Sequence, residues 1–241
     1  MADAFRADGW VLTDPFDEAT VAALSIWVDE VAAMDDVGLH HRERTADGVQ
    51  LCRSEDFAVH HEELGRLLFS GALVELASVL LGERAILYKE KINYKLPGGA
   101  GFAAHQDAPA YRFVDVHVSC LVAIDAVDTD NGCLEVVSGR HHEILPMDDR
   151  GCIRADIAEG FDWRAVPMRA GQVLWFDSRT PHRSSANRSA RARRALLPTY
   201  NAASAGDLRS SYYEQKRSEL AASGMTGSRL SLIGDFEGTV V

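Results

Sequence analysis

From Ala85 to Lys95 the chain alternates with a period of two. Tyr88, Glu90, Ile92 and Tyr94 fall on one side, and Lys89, Lys91, Asn93 and Lys95 on the other. Side chains at i and i+2 share one face of a strand, so a strand is predicted here, ended by Pro97-Gly98-Gly99. Upstream the spacing is helical. Asp14-Pro15 offers a cap with proline in the first turn. Val21, Leu24, Val28 and Val31 then recur at helical spacing, which predicts an amphipathic helix over 16–34. Trp10-Val11-Leu12 predicts a short strand, and 62–81 one helix, or two broken near Ser70-Gly71. Residues 35–60 are polar and irregular around an Asp47-Gly48 turn, with Arg42, Arg44 and Arg53 among them. They are expected to form a solvated loop, the alternative being a lid over a site.

Downstream the period of two returns. In 113–126, Val114, Val116, Val118, Cys120, Val122 and Ile124 alternate with Asp115, His117 and Ser119. Turns at Asp130-Asn131-Gly132 and Ala170-Gly171-Gln172 precede strands at Leu134–Val137 and Val173–Asp177. One or two short strands fall in 152–168, and the last at Ala195–Tyr200. Residues 207–221 look helical, and 222–241 form a Gly/Ser-containing tail. Helices first and many short strands after, without repeats, predict a mainly β protein: one barrel or sandwich with an N-terminal helical layer.

Composition narrows the function classes. With 241 residues and 46% apolar content, one large domain with a real core is expected. A net charge of −11 argues against generic nucleic-acid binding. The four cysteines, Cys52, Cys120, Cys133 and Cys152, form no C-x-x-C pair, so a zinc site is not indicated and a cytoplasmic protein is expected. Neither a secretion signal nor a run of about 18 apolar residues is apparent, so no membrane partner is expected.

The candidate chemistry lies in two stretches. Gly98-Gly99-Ala100-Gly101 leads to His105-Gln106-Asp107, and Trp175-Phe176-Asp177 leads to His182. A His-x-Asp pair followed by a distant His is the pattern of the facial triad that holds non-heme Fe(II) and leaves open positions. Alone it is a weak signal, since the composition gives roughly one His-x-Asp/Glu by chance. His60-x-Glu62, His61-x-Glu63 and His141-x-Glu143 also match. His60 and His61 open a helical segment, which points i and i+2 apart, whereas His105 and Asp107 lie in an extended, Gly-bounded stretch. They are either a surface pair or metal ligands. The lysine stripe 89–95 is likewise either solvated or the anion-binding interior of a barrel, and His117 is expected to be a hydrogen-bonded structural histidine, the alternative being that it reaches the site.

Taken together, the residues resemble the phytanoyl-CoA dioxygenase-like branch of the Fe(II)/2-oxoglutarate oxygenases. Four pieces match in order: Lys91–Lys95 with Pro97-Gly98-Gly99, His105-Gln106-Asp107, Asp130–Val136 with Ser138-Gly139-Arg140-His141, and Gly171 to Arg193. One departure is Val137-Ser138-Gly139, where the family often has Pro-Gly-Ser-His; it lies outside the metal site. The resemblance implies a double-stranded β-helix (a cupin-like jelly-roll), with helical layer and possible lid in 1–84, core in 85–201, and a C-terminal helix and tail in 202–241. It implies that His105, Asp107 and His182 hold Fe(II), with 2-oxoglutarate and O₂ as cosubstrates. It also implies that Arg193, eleven residues after His182 (193 − 182 = 11), forks onto the far carboxylate of 2-oxoglutarate. Ser184, Lys95 and Asn93 look like further cosubstrate contacts. That leaves Lys89, Lys91, Tyr111, Tyr200 and Asn201, with Arg112, for the substrate.

This set suits hydroxylation of a small anionic or zwitterionic metabolite. Tyr200-Asn201, Gly206-Asp207 and Tyr212-Tyr213-x-x-Lys216-Arg217 resemble relatives that hydroxylate small organophosphonates such as 2-aminoethylphosphonate. The alternatives are a tailoring hydroxylase of natural-product or amino-acid-derived compounds, a cupin-type enzyme without 2-oxoglutarate, and a non-catalytic jelly-roll binding module.

Overall fold

Among the described residues, two antiparallel sheets, one of eight strands and one of four, lie face to face, and helices cover the outer face of the larger one. The computed structural model describes residues 1–34, 38–111, 113–222 and 230–241. Arg112 lies outside the described residues. The N-terminal layer runs α1 (Ala2–Asp8), β1 (Trp10–Thr13), α2 (Glu18–Ala32), β2 (Leu39–Thr45), β3 (Gly48–Glu55), α3 (Glu62–Ser70) and α4 (Ala72–Leu81). Then come β4 (Ala85–Lys95), β5 (Phe102–His105), β6 (His117–Ala123), β7 (Leu134–Val136), α5 (Ala155–Ala158), β8 (Arg164–Ala165), β9 (Val173–Asp177), β10 (His182–Ser184) and β11 (Arg193–Ala202). The chain closes with α6 (Arg209–Ala222) and β12 (Thr239–Val240).

The large sheet is ordered β1-β9-β6-β11-β4-β3-β2-β12 and the small one β5-β10-β7-β8. On the outer face of the large sheet, Ile92, Tyr94, Val122, Trp175, Leu196 and Tyr200 pack against Leu24, Val28, Leu64, Leu68 and Leu73 from the helices. Each such buried Leu or Val contributes about 1.5–3 kcal/mol of transfer free energy. Between the sheets, Leu121, Leu134, Val136, Leu174, Phe176 and Leu197 form a second cluster at one end of the sandwich. The other end of that inner face carries the polar row of β4.

Several expectations are corrected. Helix α2 starts at Glu18, capped by Asp17, whose carboxylate accepts from the Thr20 amide at 2.8 Å. Residues 39–55 form the β2–β3 hairpin around the Asp47-Gly48 turn rather than a loop or lid. The strand expected over 113–126 is ordered as β6 only from His117. Of the two readings of 62–81, the structure takes the second: two helices broken at Gly71. The stretch Glu62–Leu81 has mean hydropathy 1.7, enough by length and composition to cross a membrane, but the extended Gly71 breaks it and Leu64, Leu68, Leu73 and Ala77 are buried in the core. In β4 an extra residue opposite Thr199/Tyr200 shifts the alternation. Tyr88 therefore leaves the Ile92 and Tyr94 face and packs its ring on Tyr111 and His117.

His41 and His117 are buried uncharged, and His117, expected to be hydrogen-bonded, instead packs on the Tyr88 and Tyr111 rings with neither ring nitrogen partnered among the described residues. Burial pushes His41 down to about 4 and His117 to about 3, the latter helped by the Lys89 ammonium. Both folded values lie below the ~6.5 of an unfolded histidine. Their stabilisation is therefore complete above that pH and is lost as pH falls towards 4. The unfolding midpoint of the metal-free protein is expected to drop across this window. His41→Gln should flatten the drop by on the order of 3 kcal/mol at the acid end. An unchanged profile would remove His41 as a cause.

Candidate active site

Strands β5 and β10 pair antiparallel with His105 directly opposite His182. Their rings lie 4.1 Å apart between centroids. The same local device fixes each ring. His105 Nδ1 lies 2.7 Å from the carbonyl of Ala103, and His182 Nδ1 lies 2.9 Å from that of Thr180. A carbonyl only accepts, so each Nδ1 carries the proton and each Nε2 keeps a free lone pair. Asp107 leaves β5 as the chain turns into a short 3₁₀ segment at Ala108–Ala110. Its carboxylate and the two imidazoles place ligand atoms within 4.8 Å of one another, all buried. Two neutral imidazoles and one carboxylate on one side of a cavity are a donor set that could hold a divalent transition metal and leave the opposite positions open.

The residues between these ligands point the other way and tie the strands down. Gln106 donates to the carbonyls of Glu143 (2.9 Å) and Arg179 (2.5 Å) and accepts from the Leu145 amide (2.8 Å). Arg183 makes two bonds to Glu135, at 3.1 and 2.7 Å. The turn before His182 is held by Thr180, whose hydroxyl donates to the Gly9 carbonyl at 2.7 Å.

The electrostatics suit a metal. Burial opposes ionisation of Asp107, but Lys91 and Lys89, with His182 and His105, outweigh it and hold the carboxyl well below its usual range. Burial pushes His182 down to about 4, with His105 adding to it, so the imidazole is a neutral donor at neutral pH.

A cavity runs from the triad to Arg193, lined also by Lys91, Asn93, Ser184, Phe176 and Leu197. Arg193 opens β11 and is 2% exposed, yet its Nε and one Nη find no hydrogen-bond partner among the described residues. Buried guanidinium nitrogens without acceptors are costly unless a ligand supplies them. A planar carboxylate is the shape that fits. Ser184 lines the same cavity, and Asn93 lines it while accepting from Arg53 Nε at 2.9 Å. Lys95 sits one step back, donating to Ser184 Oγ (2.8 Å) and the Ser185 carbonyl (2.7 Å). Gly132, at φ +80°, passes so close to that carbonyl that an added Cβ would lie 2.2 Å from it. A larger open depression of about 520 Å³ on the outer side of β5 contains none of the three ligands.

On the other side of Asp107 a second cavity is lined by Lys89, Lys91, Arg53, Tyr111, Tyr212 and Asp235, among others. Lys89 lies 4.6 Å from the Tyr111 ring centre. Two expected substrate contacts do not reach it. Neighbours in a strand face opposite ways, and Tyr200 points outward into the helical layer, donating to the Leu68 carbonyl at 3.3 Å. Asn201 is inward but lines neither cavity: its amide donates to the carbonyls of Ala202 (2.8 Å) and Gly206 (3.0 Å), and its Oδ1 finds no partner among the described residues. In the sequence, Arg53 reads as part of a polar loop, and Asp235 as part of a tail with no signal of burial.

A jelly-roll that gathers two histidines and an aspartate at one mouth, with a buried arginine behind them whose Nε and one Nη find no partner among the described residues, defines the class of Fe(II)/2-oxoglutarate oxygenases. A family model described as Phytanoyl-CoA dioxygenase (PhyH) matches residues 5–195, and the chain belongs to that family. It is 43% identical to a methylphosphonate hydroxylase of Gimesia maris, over 98% of this chain and 94% of that protein. It is 41% identical to a 2-aminoethylphosphonate dioxygenase of an uncultured bacterium, over 69% of this chain and 65% of that protein. Among solved structures, EctD from S. alaskensis with 2-oxoglutarate and 5-hydroxyectoine superposes with a TM-score of 0.71 at 24% identity, over 84% of this chain and 75% of that one. The epimerase SnoN with Fe3+ and alpha ketoglutarate gives 0.72 at 23% identity, over 84% and 82%. The protein is an Fe(II)/2-oxoglutarate-dependent dioxygenase.

Gln106→Ala orphans the Leu145 amide and two carbonyls. It is expected to cost about 2–4 kcal/mol of stability and to lower metal affinity with it. Thermal melts and a metal titration check this; wild-type values in both would show that Gln106 does not hold the β5 end.

Proposed function

We propose that this chain hydroxylates a small organophosphonate at the carbon bonded to phosphorus. His105, Asp107 and His182 hold the iron. Arg193 and Ser184 hold the far end of 2-oxoglutarate, and Lys95 orients Ser184. Lys89 and Lys91 face the phosphonate, with Tyr111 closing the pocket. Bound iron, with 2-oxoglutarate and O₂, supplies the oxidising chemistry: one oxygen atom enters the C–H bond and the other leaves in succinate, with release of CO₂.

The observation that carries the substrate class is the uncompensated charge beside Asp107. Neither Lys89 nor Lys91 has an ion pair or hydrogen bond among the described residues, although both line the cavity. Burial, with Lys89 and Arg53 beside it, pushes Lys91 down to about 7. An anion between the two lysines reverses that penalty, and a phosphonate supplies up to two negative charges and three acceptor oxygens. The names of the two phosphonate-oxidising relatives point the same way. A methylphosphonate substrate offers only the carbon on phosphorus. Four free, buried cysteines support the expectation of a reducing, cytoplasmic setting.

Anaerobic Fe(II) and 2-oxoglutarate should give a weak visible charge-transfer band. His105→Ala should abolish it, and Arg193→Ala should weaken 2-oxoglutarate binding on the order of 10²-fold while iron still binds. Under air, methylphosphonate or 2-aminoethylphosphonate should drive succinate release together with a hydroxylated product. Absence of the band would favour a non-catalytic binding module. A band without an oxidised phosphonate would overturn the substrate class.

A further inference from the structure

The C-terminal tail brings a carboxylate into the substrate cavity. The Asp235 carbonyl accepts from the Ala103 amide at 2.8 Å, and the Glu237 amide donates to the Gly101 carbonyl at 3.1 Å. Phe236 lies opposite Phe102 as an antiparallel bridge. Residues 235–237 thus extend the small sheet beyond its edge strand β5. This seats the Asp235 side chain inside, 3% exposed, with Oδ2 3.3 Å from His105 Nε2. Its Oδ1 is buried with no hydrogen-bond partner among the described residues. Asp235 borders both the cavity that reaches Arg193 and the one that holds Lys89 and Lys91.

The substrate cavity therefore has two poles. Lys89, Lys91 and an Nη of Arg53 that also lacks a partner among the described residues form the positive one. Asp235 Oδ1 forms the negative one, beside the metal-ligand cluster. Glu55 does not share that role, because Lys216 Nζ neutralises it with two bonds of 2.6 Å. A phosphonate with no cation of its own would leave Asp235 Oδ1 buried without a hydrogen-bond partner and facing a like charge. A zwitterion would satisfy both poles at once.

We infer that Asp235 is the acceptor for the ammonium group of an aminoalkylphosphonate, and so fits this site to zwitterionic rather than simple alkyl phosphonates. The inference rests on the phosphonate reading above. His105, Asp107 and His182 converge without Asp235, so it is a specificity residue rather than a ligand.

The test compares 2-aminoethylphosphonate with propylphosphonate, in which a methyl group replaces the ammonium. For the iron-loaded wild type, kcat/KM should favour the aminoethyl compound by at least about 10²-fold, because a site built to bind a substrate N–H rejects an analogue that lacks it. In Asp235→Asn, with Asp235→Ser as a second variant, that ratio should fall towards one. Anaerobic calorimetry on the Fe(II)/2-oxoglutarate complex should show the same collapse in the ratio of Kd values. A wild-type ratio near one, or equal losses for both compounds in the variants, overturns the inference and leaves the phosphonate reading standing. Oxidation of neither compound, nor of methylphosphonate, removes the phosphonate reading and the inference together.

Discussion

The constraint on which the rest depends is a strand register. His105 and His182 face each other because the β5–β10 pairing sets them opposite, just before an irregularity between His182 and Ser184 shifts the register. A shift of one residue would present Gln106 or Arg183 to the cavity instead. Two three- or four-residue strands have little intrinsic hold on their register. The surroundings supply it: Gln106 and Arg183 anchor the outward side, Thr180 anchors the turn to Gly9, and Lys95 grips Ser184 and the Ser185 carbonyl from the large sheet. The ring orientations then follow from two carbonyls that fix the tautomers.

This register is affordable because apolar packing is placed elsewhere. One face of the large sheet meets the helical layer through Leu, Val, Tyr and Trp side chains. The opposite face of β4 is free to carry Lys89, Lys91, Asn93 and Lys95 in a row. Burying that many cations is unfavourable in itself. Lys95 is spent on hydrogen bonds, Lys216 on Glu55, and the charge left over at Lys89 and Lys91 is what gives the cavity its appetite for an anion.

The legible parts of the chain were those whose pattern follows directly from facing a core on one side. The lysine stripe and its turn, the triad spacing and helix α2 are of this kind. The β2–β3 hairpin was not legible because its inward residues, Glu43, Arg53 and Glu55, are polar and buried, so the usual apolar alternation is missing. Tyr88 changed face because of a bulge that no local composition announces. Tyr200 and Asn201 were assigned together to one pocket, which a strand forbids for adjacent residues. Asp235 reads as a tail residue because its burial depends on pairing with a segment more than a hundred positions away, at Gly101–Ala103.

The most direct test is a crystal structure of the protein with 2-oxoglutarate and Mn(II), whose anomalous signal locates the ion. The account predicts one ion bound by Nε2 of His105, Nε2 of His182 and a carboxylate oxygen of Asp107, with the far carboxylate of 2-oxoglutarate on Arg193. An ion bound elsewhere, or through Nδ1, would contradict it.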